Sequence, residues 1–281
     1  MSAQYTKKYL KIESVFKGES SPLVMGILNI TSDSFYDGGK FLSEKQYLNQ
    51  AEKIIGEGAD IIDIGAQSTR PGASEIGEQE ETKLLIEAVK NIRKQFPEII
   101  LSADTYRAIT AEKAADVGVD IINDISGGTM DEKMYVTISK LNIPYVLMHM
   151  QGTPATMQKN PSYENVTKEV KDFFKQQLAL LEKINVNKII IDPGFGFGKT
   201  QEHNYTLFRE LEDFKTINKP LLVGISRKSM IWKLLGSSPE KALNGTTALN
   251  TIALMKGAKI LRVHDVKEAM ECVKIMHELY C

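Results

Sequence analysis

Short, unbroken apolar runs alternate with amphipathic stretches from about residue 22 to the end of the chain. The runs occupy 23–30, 60–64, 99–103, 119–122, 144–148, 188–191, 220–225 and 258–263. Each is dense in Ile, Leu and Val without polar alternation, as parallel strands buried on both faces should be. The intervening stretches repeat at helical spacing. Tyr47, Leu48, Ala51, Ile54 and Ile55 share one face behind a capping box of Ser43 and Gln46, and Gly56 and Gly58 stop that helix. A last helix opening at Asp265, with Glu268 three residues on, presents Val266, Ala269, Met270, Val273 and Met276. Eight strand–helix units in 281 residues predict a (β/α)8 TIM barrel. A doubly wound parallel sheet is the alternative that the pattern leaves open.

No Pro-, Gly- or Ser-rich linker divides the chain, so the expectation is a single domain over 1–281 with its barrel core at about 22–279. The one long Gly/Ser/Pro-bearing stretch, 67–77, follows the second run, where a barrel places a βα loop of its catalytic face. Composition adds exclusions. Hydrophobic residues at 42% and charged residues at 25% are ordinary for a globular chain and exclude disorder. With 35 Lys and Arg against 36 Asp and Glu there is no basic field, so neither nucleic acid nor an anionic membrane is an expected partner. Cys272 and Cys281 lack any partner spacing, which excludes a disulfide framework and a zinc knuckle and fits a reducing compartment. No run has the length of a signal peptide or a membrane span, and the expectation is a cytoplasmic protein.

The apolar runs end in polar residues. In order these are Asn29, Asp63, Asp104, Asn123 with Asp124, His149, Asp192, Ser226-Arg227-Lys228, and Arg262 with His264. If the runs are barrel strands, all eight converge on one mouth at the strands' C-terminal ends, where barrel enzymes place their chemistry. Asp104, Asn123 and Asp192 suit a flat heterocycle with a donor-rich edge, since a carboxylate accepts two parallel N–H bonds. Arg70, Lys228, Arg262 and His264 suit an anionic group such as phosphate. Asn29 offers an oxygen to a hard cation such as Mg²⁺, which keeps several waters and also binds substrate phosphate. The string Gly194-Phe195-Gly196-Phe197-Gly198-Lys199-Thr200 is not a nucleotide loop: Pro193 stands where G-x-x-x-x-G-K-[ST] needs glycine. It reads as a tight turn that either brings Phe197 over a planar ligand or buries it as a core aromatic.

Together the motifs resemble dihydropteroate synthases from about residue 22 to 277. They are Asn29-Ile30-Thr31-Ser32-Asp33-Ser34-Phe35, Ser68-Thr69-Arg70-Pro71-Gly72-Ala73, Asp104-Thr105 and Asn123-Asp124-Ile125-Ser126-Gly127-Gly128. Further along come Met148-His149-Met150-Gln151-Gly152-Thr153-Pro154, the string from Asp192 to Thr200, Ser226-Arg227-Lys228-Ser229 and Arg262-Val263-His264-Asp265. The resemblance implies condensation of 6-hydroxymethyl-7,8-dihydropterin diphosphate with p-aminobenzoate, through SN1-like loss of diphosphate. It implies that Asp104, Asn123, Ile125, Met148, Asp192, Phe197, Gly224 and Lys228 hold the pterin. Asn29, Arg70, Arg262 and His264 would hold the diphosphate, with Mg²⁺ on Asn29. Phe35, Thr69, Pro71 and Ser229 would line the p-aminobenzoate site. Asp104, Lys228, Arg262 and His264 would act in catalysis. Sulfonamides as competitive inhibitors and a homodimer built through barrel helices are implied as well.

Four residues depart from the family pattern: Ser32, Tyr36, Gln67 and Arg107 stand where Pro, Ser, Glu and Lys are frequent. They bear on p-aminobenzoate and sulfonamide affinity more than on the reaction. Two rival functions remain: a methyltetrahydrofolate-binding methyltransferase domain, which has no diphosphate to release, and a non-catalytic pterin-binding paralogue. Among the other polar residues, His203 and His277 are expected on exposed helices and His149 in a structural role. Asp63 is expected either to orient a neighbour or to be tied to backbone.

Overall fold

In the computed structural model, residues 3–18, 21–30, 44–67 and 76–280 are described. The strands are β1 (Leu23–Asn29), β2 (Ile61–Gly65), β3 (Ile100–Asp104), β4 (Ile121–Asp124), β5 (Tyr145–Met148), β6 (Ile189–Asp192), β7 (Leu222–Val223) and β8 (Ile260–Val263). All pair in parallel, in the order β6-β5-β4-β3-β2-β1-β8-β7. A parallel bridge between Ile191 and Leu221 brings the two ends of the sheet together. The result is a (β/α)8 barrel rather than an open doubly wound sheet, and every observed strand begins inside one of the eight apolar runs.

Helices follow the strands around the outside: α2 (Glu44–Gly56), α3 (Glu78–Gln95), α4 (Ala108–Asp116), α5 (Met134–Leu141), α6 (Val166–Lys183), α7 (Gln201–Arg209), α8 (Ser229–Leu234), α9 (Leu243–Met255) and α10 (Val266–Tyr280). Their apolar faces pack on the outward strand positions, such as Val24, Ile62, Leu101, Ile122 and Leu261, in one continuous core. Helix α2 ends at Gly56, and Gly58 takes the left-handed conformation at φ +100°, as its glycines predict. Ser43, half of the expected capping box, lies outside the described residues. No helix among the described residues is long and apolar enough to cross a membrane.

One element was not read from the sequence. Residues Ala3–Lys17 form a helix, α1, that closes the bottom of the barrel. Ile12, Val15 and Phe16 enter the lower barrel interior against Leu23, Met25, Ile61, Ile100, Ile121, Val146, Ile190, Leu222 and Ile260. Burying Ile12 and Val15 contributes about 1.5–3 kcal/mol each. Ion pairs fix the helix: buried Lys8 meets Asp120 at 2.6 Å, Lys11 meets Asp60, and Glu13 meets Lys188 at 2.7 Å. The spacing of Ile12, Val15 and Phe16, three and four residues apart, is the signal that could have found it.

Candidate active site

A period-2 rule carries the chain from core to site. Ile61, Ile100, Ile121, Val146, Ile190, Leu222 and Ile260 face the barrel axis at its lower end. Two residues further along, side chains again face inward. Those positions are Asp63, Ser102, Asn123, Met148, Asp192, Gly224 and Arg262. One step higher on the same face, four residues after Met25, Ile100 and Ile121, stand Asn29, Asp104 and Ile125. The barrel interior therefore changes from aliphatic to polar within a rise of about 7 Å.

The polar layer is hydrogen-bonded across strands. Arg262 donates from Nε to Asp63 Oδ2 at 2.6 Å and from Nη2 to Asp104 Oδ2 at 2.7 Å. Asn123 Nδ2 donates to the same Asp63 oxygen at 2.9 Å. Asp192 Oδ1 accepts from the Gly194 amide at 2.8 Å. The Lys228 ammonium donates to the Phe195 carbonyl and lies 4.7 Å from the centroid of the Phe197 ring. At Gly65 a Cβ would lie in van der Waals contact with Asn29 Oδ1 at 3.5 Å and Asp104 Oδ2 at 3.6 Å, so the β2 backbone runs close beside both side chains.

Burial sets the electrostatics. It pushes the Asp104 carboxyl up to about 7, against the opposing pull of Arg262, with Asp63 adding to the rise. Asp192 is likewise raised by burial, partly offset by Lys228. Burial lowers the Lys228 ammonium to about 8, with Asp192 opposing and Arg262 contributing. Burial also disfavours the charged Arg262, but Asp63 and Asp104 outweigh it and keep the guanidinium charged.

Beside the charges stands an apolar wall. Tyr106, Ile125 and Met148 form a small buried cluster, with Met150 and Phe197 packed against it. Three of its members, Ile125, Met148 and Phe197, are predicted pterin residues. Tyr106, two positions after Asp104, was missed although its placement after the strand end was a usable signal. Phe197 comes from the glycine turn, where Gly194 has φ +70° and a Cβ would run into the His149 carbonyl. The turn resolves its two aromatics: Phe195 is fully buried in the core, and Phe197 is half-buried at the mouth.

Asp124, expected at the pocket, serves structure instead, and His149 takes the structural role expected of it. Asp124 accepts from Ser126 N and Oγ, Gly128 N and Tyr145 Oη, all at 2.6–2.8 Å, because strand alternation turns it away from Asn123. His149 is buried with Nδ1 3.0 Å from Lys199 Nζ and its ring 5.0 Å from that of Phe173. Burial holds its imidazole well below the ordinary value, with the Lys199 charge adding to the effect. Asp63 is tied to two side chains rather than to backbone. His203, expected on an exposed helix, is half-buried and caps α7 reciprocally with Thr200. His277 is exposed as expected.

The loops above the barrel are joined in pairs. Arg227, at φ +56°, grips Asp265 through Nε at 2.9 Å and Nη2 at 2.5 Å. The His264 amide donates to Ser226 Oγ at 3.1 Å, so the segments carrying Lys228 and His264 are fastened together. His264 itself stands exposed just beyond β8, and exposed Ser229 begins α8. Arg107 pairs with buried Glu81 and donates to the Ile76 carbonyl at 2.9 Å, while Thr105 Oγ1 donates to Glu81 at 2.6 Å. Phe35, Thr69, Arg70 and Pro71, with the departures Ser32 and Tyr36, lie outside the described residues.

The chain's likenesses agree with this geometry. Residues 25–264 match the family described as pterin binding enzymes. The chain is 45% identical over 259 residues to the dihydropteroate synthase of Escherichia coli K12, covering 92% of this chain and 91% of that one. With the dihydropteroate synthase of a Synechocystis strain it shares 41% identity over 271 residues, 95% and 93% of the two chains. Among solved structures, a Yersinia pestis dihydropteroate synthase with a sulfonamide drug complex superposes with a TM-score of 0.87 at 40% identity, covering 92% and 94%. A Xanthomonas albilineans dihydropteroate synthase with 4-aminobenzoic acid gives a TM-score of 0.86 at 33% identity, covering 92% and 93%.

Proposed function

Because this chain belongs to the dihydropteroate synthases within the pterin binding enzymes, we propose that it condenses 6-hydroxymethyl-7,8-dihydropterin diphosphate with p-aminobenzoate in folate biosynthesis. The products are 7,8-dihydropteroate and diphosphate. The observation that carries this reading is the polar layer itself: Asp104, Asn123 and Asp192 acceptors beside Lys228 and Arg262 cations, with the Ile125–Met148–Phe197 wall alongside. A flat ring with a donor-rich edge and an anionic tail matches each part of that set.

Asp192, Asn123 and Asp104 bind the ring, and Lys228 adds a cation beside Phe197. Arg262 with His264, and Arg70, which follows β2 in the sequence, neutralise the diphosphate. Phe35, Thr69, Pro71 and Ser229 receive p-aminobenzoate, and sulfonamides compete there. The C–O bond to diphosphate breaks first, leaving a methylene cation delocalised into the dihydropterin. Ionised Asp104 stabilises that cation electrostatically, and the neutral aniline nitrogen then attacks and loses its proton. No nucleophilic Ser or Cys is needed. The donor set fits Mg²⁺ as a substrate-borne ion. Among the described residues no three His, Cys, Asp or Glu gather to hold a metal, and the Asn29 amide oxygen, close to Gly65 and beside Asp104, would supply one ligand. Substrate phosphate and water would supply the others. When bound, Mg²⁺ adds positive charge that favours diphosphate departure.

Exposed apolar side chains on α8, α9 and α10, among them Leu234, Ile252, Met255, Ile275 and Leu279, favour a homodimer through barrel helices. A cytoplasmic location fits a chain using cytosolic small molecules. The test is diphosphate release from the pterin diphosphate with Mg²⁺, with and without p-aminobenzoate, alongside detection of dihydropteroate. Equal amounts of the two products are expected. Tight pterin binding without product would replace the synthase by a silent paralogue.

A further inference from the structure

The mechanism above uses Asp104, Asn123 and Arg262 directly and leaves one buried carboxylate without a task. Asp63 is completely buried on β2, in the same inward layer as Asn123 and Arg262, and its Oδ2 atom takes two donors. One is Nε of Arg262 from β8 and the other is Nδ2 of Asn123 from β4. Its second oxygen, Oδ1, is buried with no hydrogen-bond partner among the described residues. A carboxylate kept in that state, in a barrel whose lower layer is aliphatic, carries a desolvation cost that packing alone would not require.

Resting on the dihydropteroate synthase reading, we infer that Asp63 is a positioning residue that fixes how Arg262 and Asn123 face the pterin. The two effects are different in kind. For Arg262, the Asp63 contact at Nε and the Asp104 contact at Nη2 hold a planar guanidinium at two points, so its plane and its remaining edge are set before substrate arrives. For Asn123, the effect is one of identity. An amide presents a donor on one branch and an acceptor on the other, in nearly the same shape. Asp63, which accepts, holds the NH2 branch, so Asn123 offers its carbonyl oxygen to the ring. Asp63 thereby makes Asn123 an acceptor for the donor edge of a pterin without touching that ring.

The test compares Asp63→Ala and Asp63→Asn with the unaltered protein in steady-state assays of each substrate and in direct titration with 6-hydroxymethylpterin. Loss of bonds to a charged group predicts a rise in KM for the pterin diphosphate of about 10- to 100-fold in Asp63→Ala. Weaker binding of the free pterin should accompany it, while KM for p-aminobenzoate stays within about twofold. Asp63→Asn keeps an oxygen that can accept from both partners and should recover part of the loss. Pterin affinity unchanged in Asp63→Ala, an equal rise in KM for both substrates, or no recovery in Asp63→Asn would each overturn the inference. If the unaltered protein makes no dihydropteroate, it is the synthase reading that fails, and free pterin titration still decides the role of Asp63.

Discussion

The two ends of this barrel handle buried charge in opposite ways. At the bottom, Asp120 accepts from Lys8, Arg93 and the Leu101 amide, and Asp60 accepts from Lys11 and the Val24 amide. Both oxygens of each of these carboxylates have donors, and helix α1 seals an aliphatic layer. At the top, Asp63 and Asp104 share the single guanidinium of Arg262, the Asp104 carboxyl rises to about 7, and the Lys228 ammonium falls to about 8. The lower end is satisfied within the protein. The upper end keeps acceptors and cations in a desolvated space where a ligand's own donors and anionic group would complete them, as expected of a site in which perturbed titration and function coincide.

Damage at the two ends should therefore separate cleanly. Arg262→Ala removes the cation between two buried carboxylates and, on the proposed reading, a group that faces the diphosphate. It should cost about 10²–10³-fold in kcat/KM for the pterin diphosphate, the scale of losing one preorganised electrostatic contact. Near-normal turnover in both this variant and Asp104→Ala would sink the assignment of the charged layer. Ile12→Ala should act at the other end, lowering stability by about 2–5 kcal/mol in denaturant unfolding. Its KM values should hold below the unfolding transition. A pterin KM that moved with this helix would mean that the two ends are coupled.

The smallest effect is in pH. Below about 7 the buried Asp104 carboxyl is protonated, and above about 8 the Lys228 ammonium loses its charge. On the proposed mechanism both act in their charged forms, so kcat/KM for the pterin diphosphate should be bell-shaped with those two limbs, falling tenfold per unit outside them. Asp104→Asn should erase the acid limb while leaving the basic one. An acid limb that persists unchanged in that variant would belong to another group.

Much of this was readable from residue order. The eight strands appear as apolar runs because a strand covered on both faces cannot alternate, and the polar residues at their ends marked the mouth. Asn29, Asp104, Asn123, Asp192 and Arg262 all fall on the inward parity of their strands. What misled was treating adjacent polar residues as one group. Asn123 and Asp124 are neighbours in sequence and point to opposite sides of the sheet. Helix α1 went unread because its apolar side chains are few and its charged ones look like a solvated face until Asp60, Asp120 and Lys188 are brought beside them.

Local pattern therefore accounts for the barrel, its direction and the inventory of chemical groups at its mouth, since each depends on side-chain periodicity along a single segment. Which of those groups share a proton acceptor, which titrate near neutrality and which turn away into the wall depend on strands far apart in the chain. Arg262 lies 199 residues from Asp63 and 158 from Asp104. Pairing of β8 and β2 on the two sides of β1, in a sheet curved into a barrel, brings them to hydrogen-bond distance in a medium dry enough for the contact to shift their protonation.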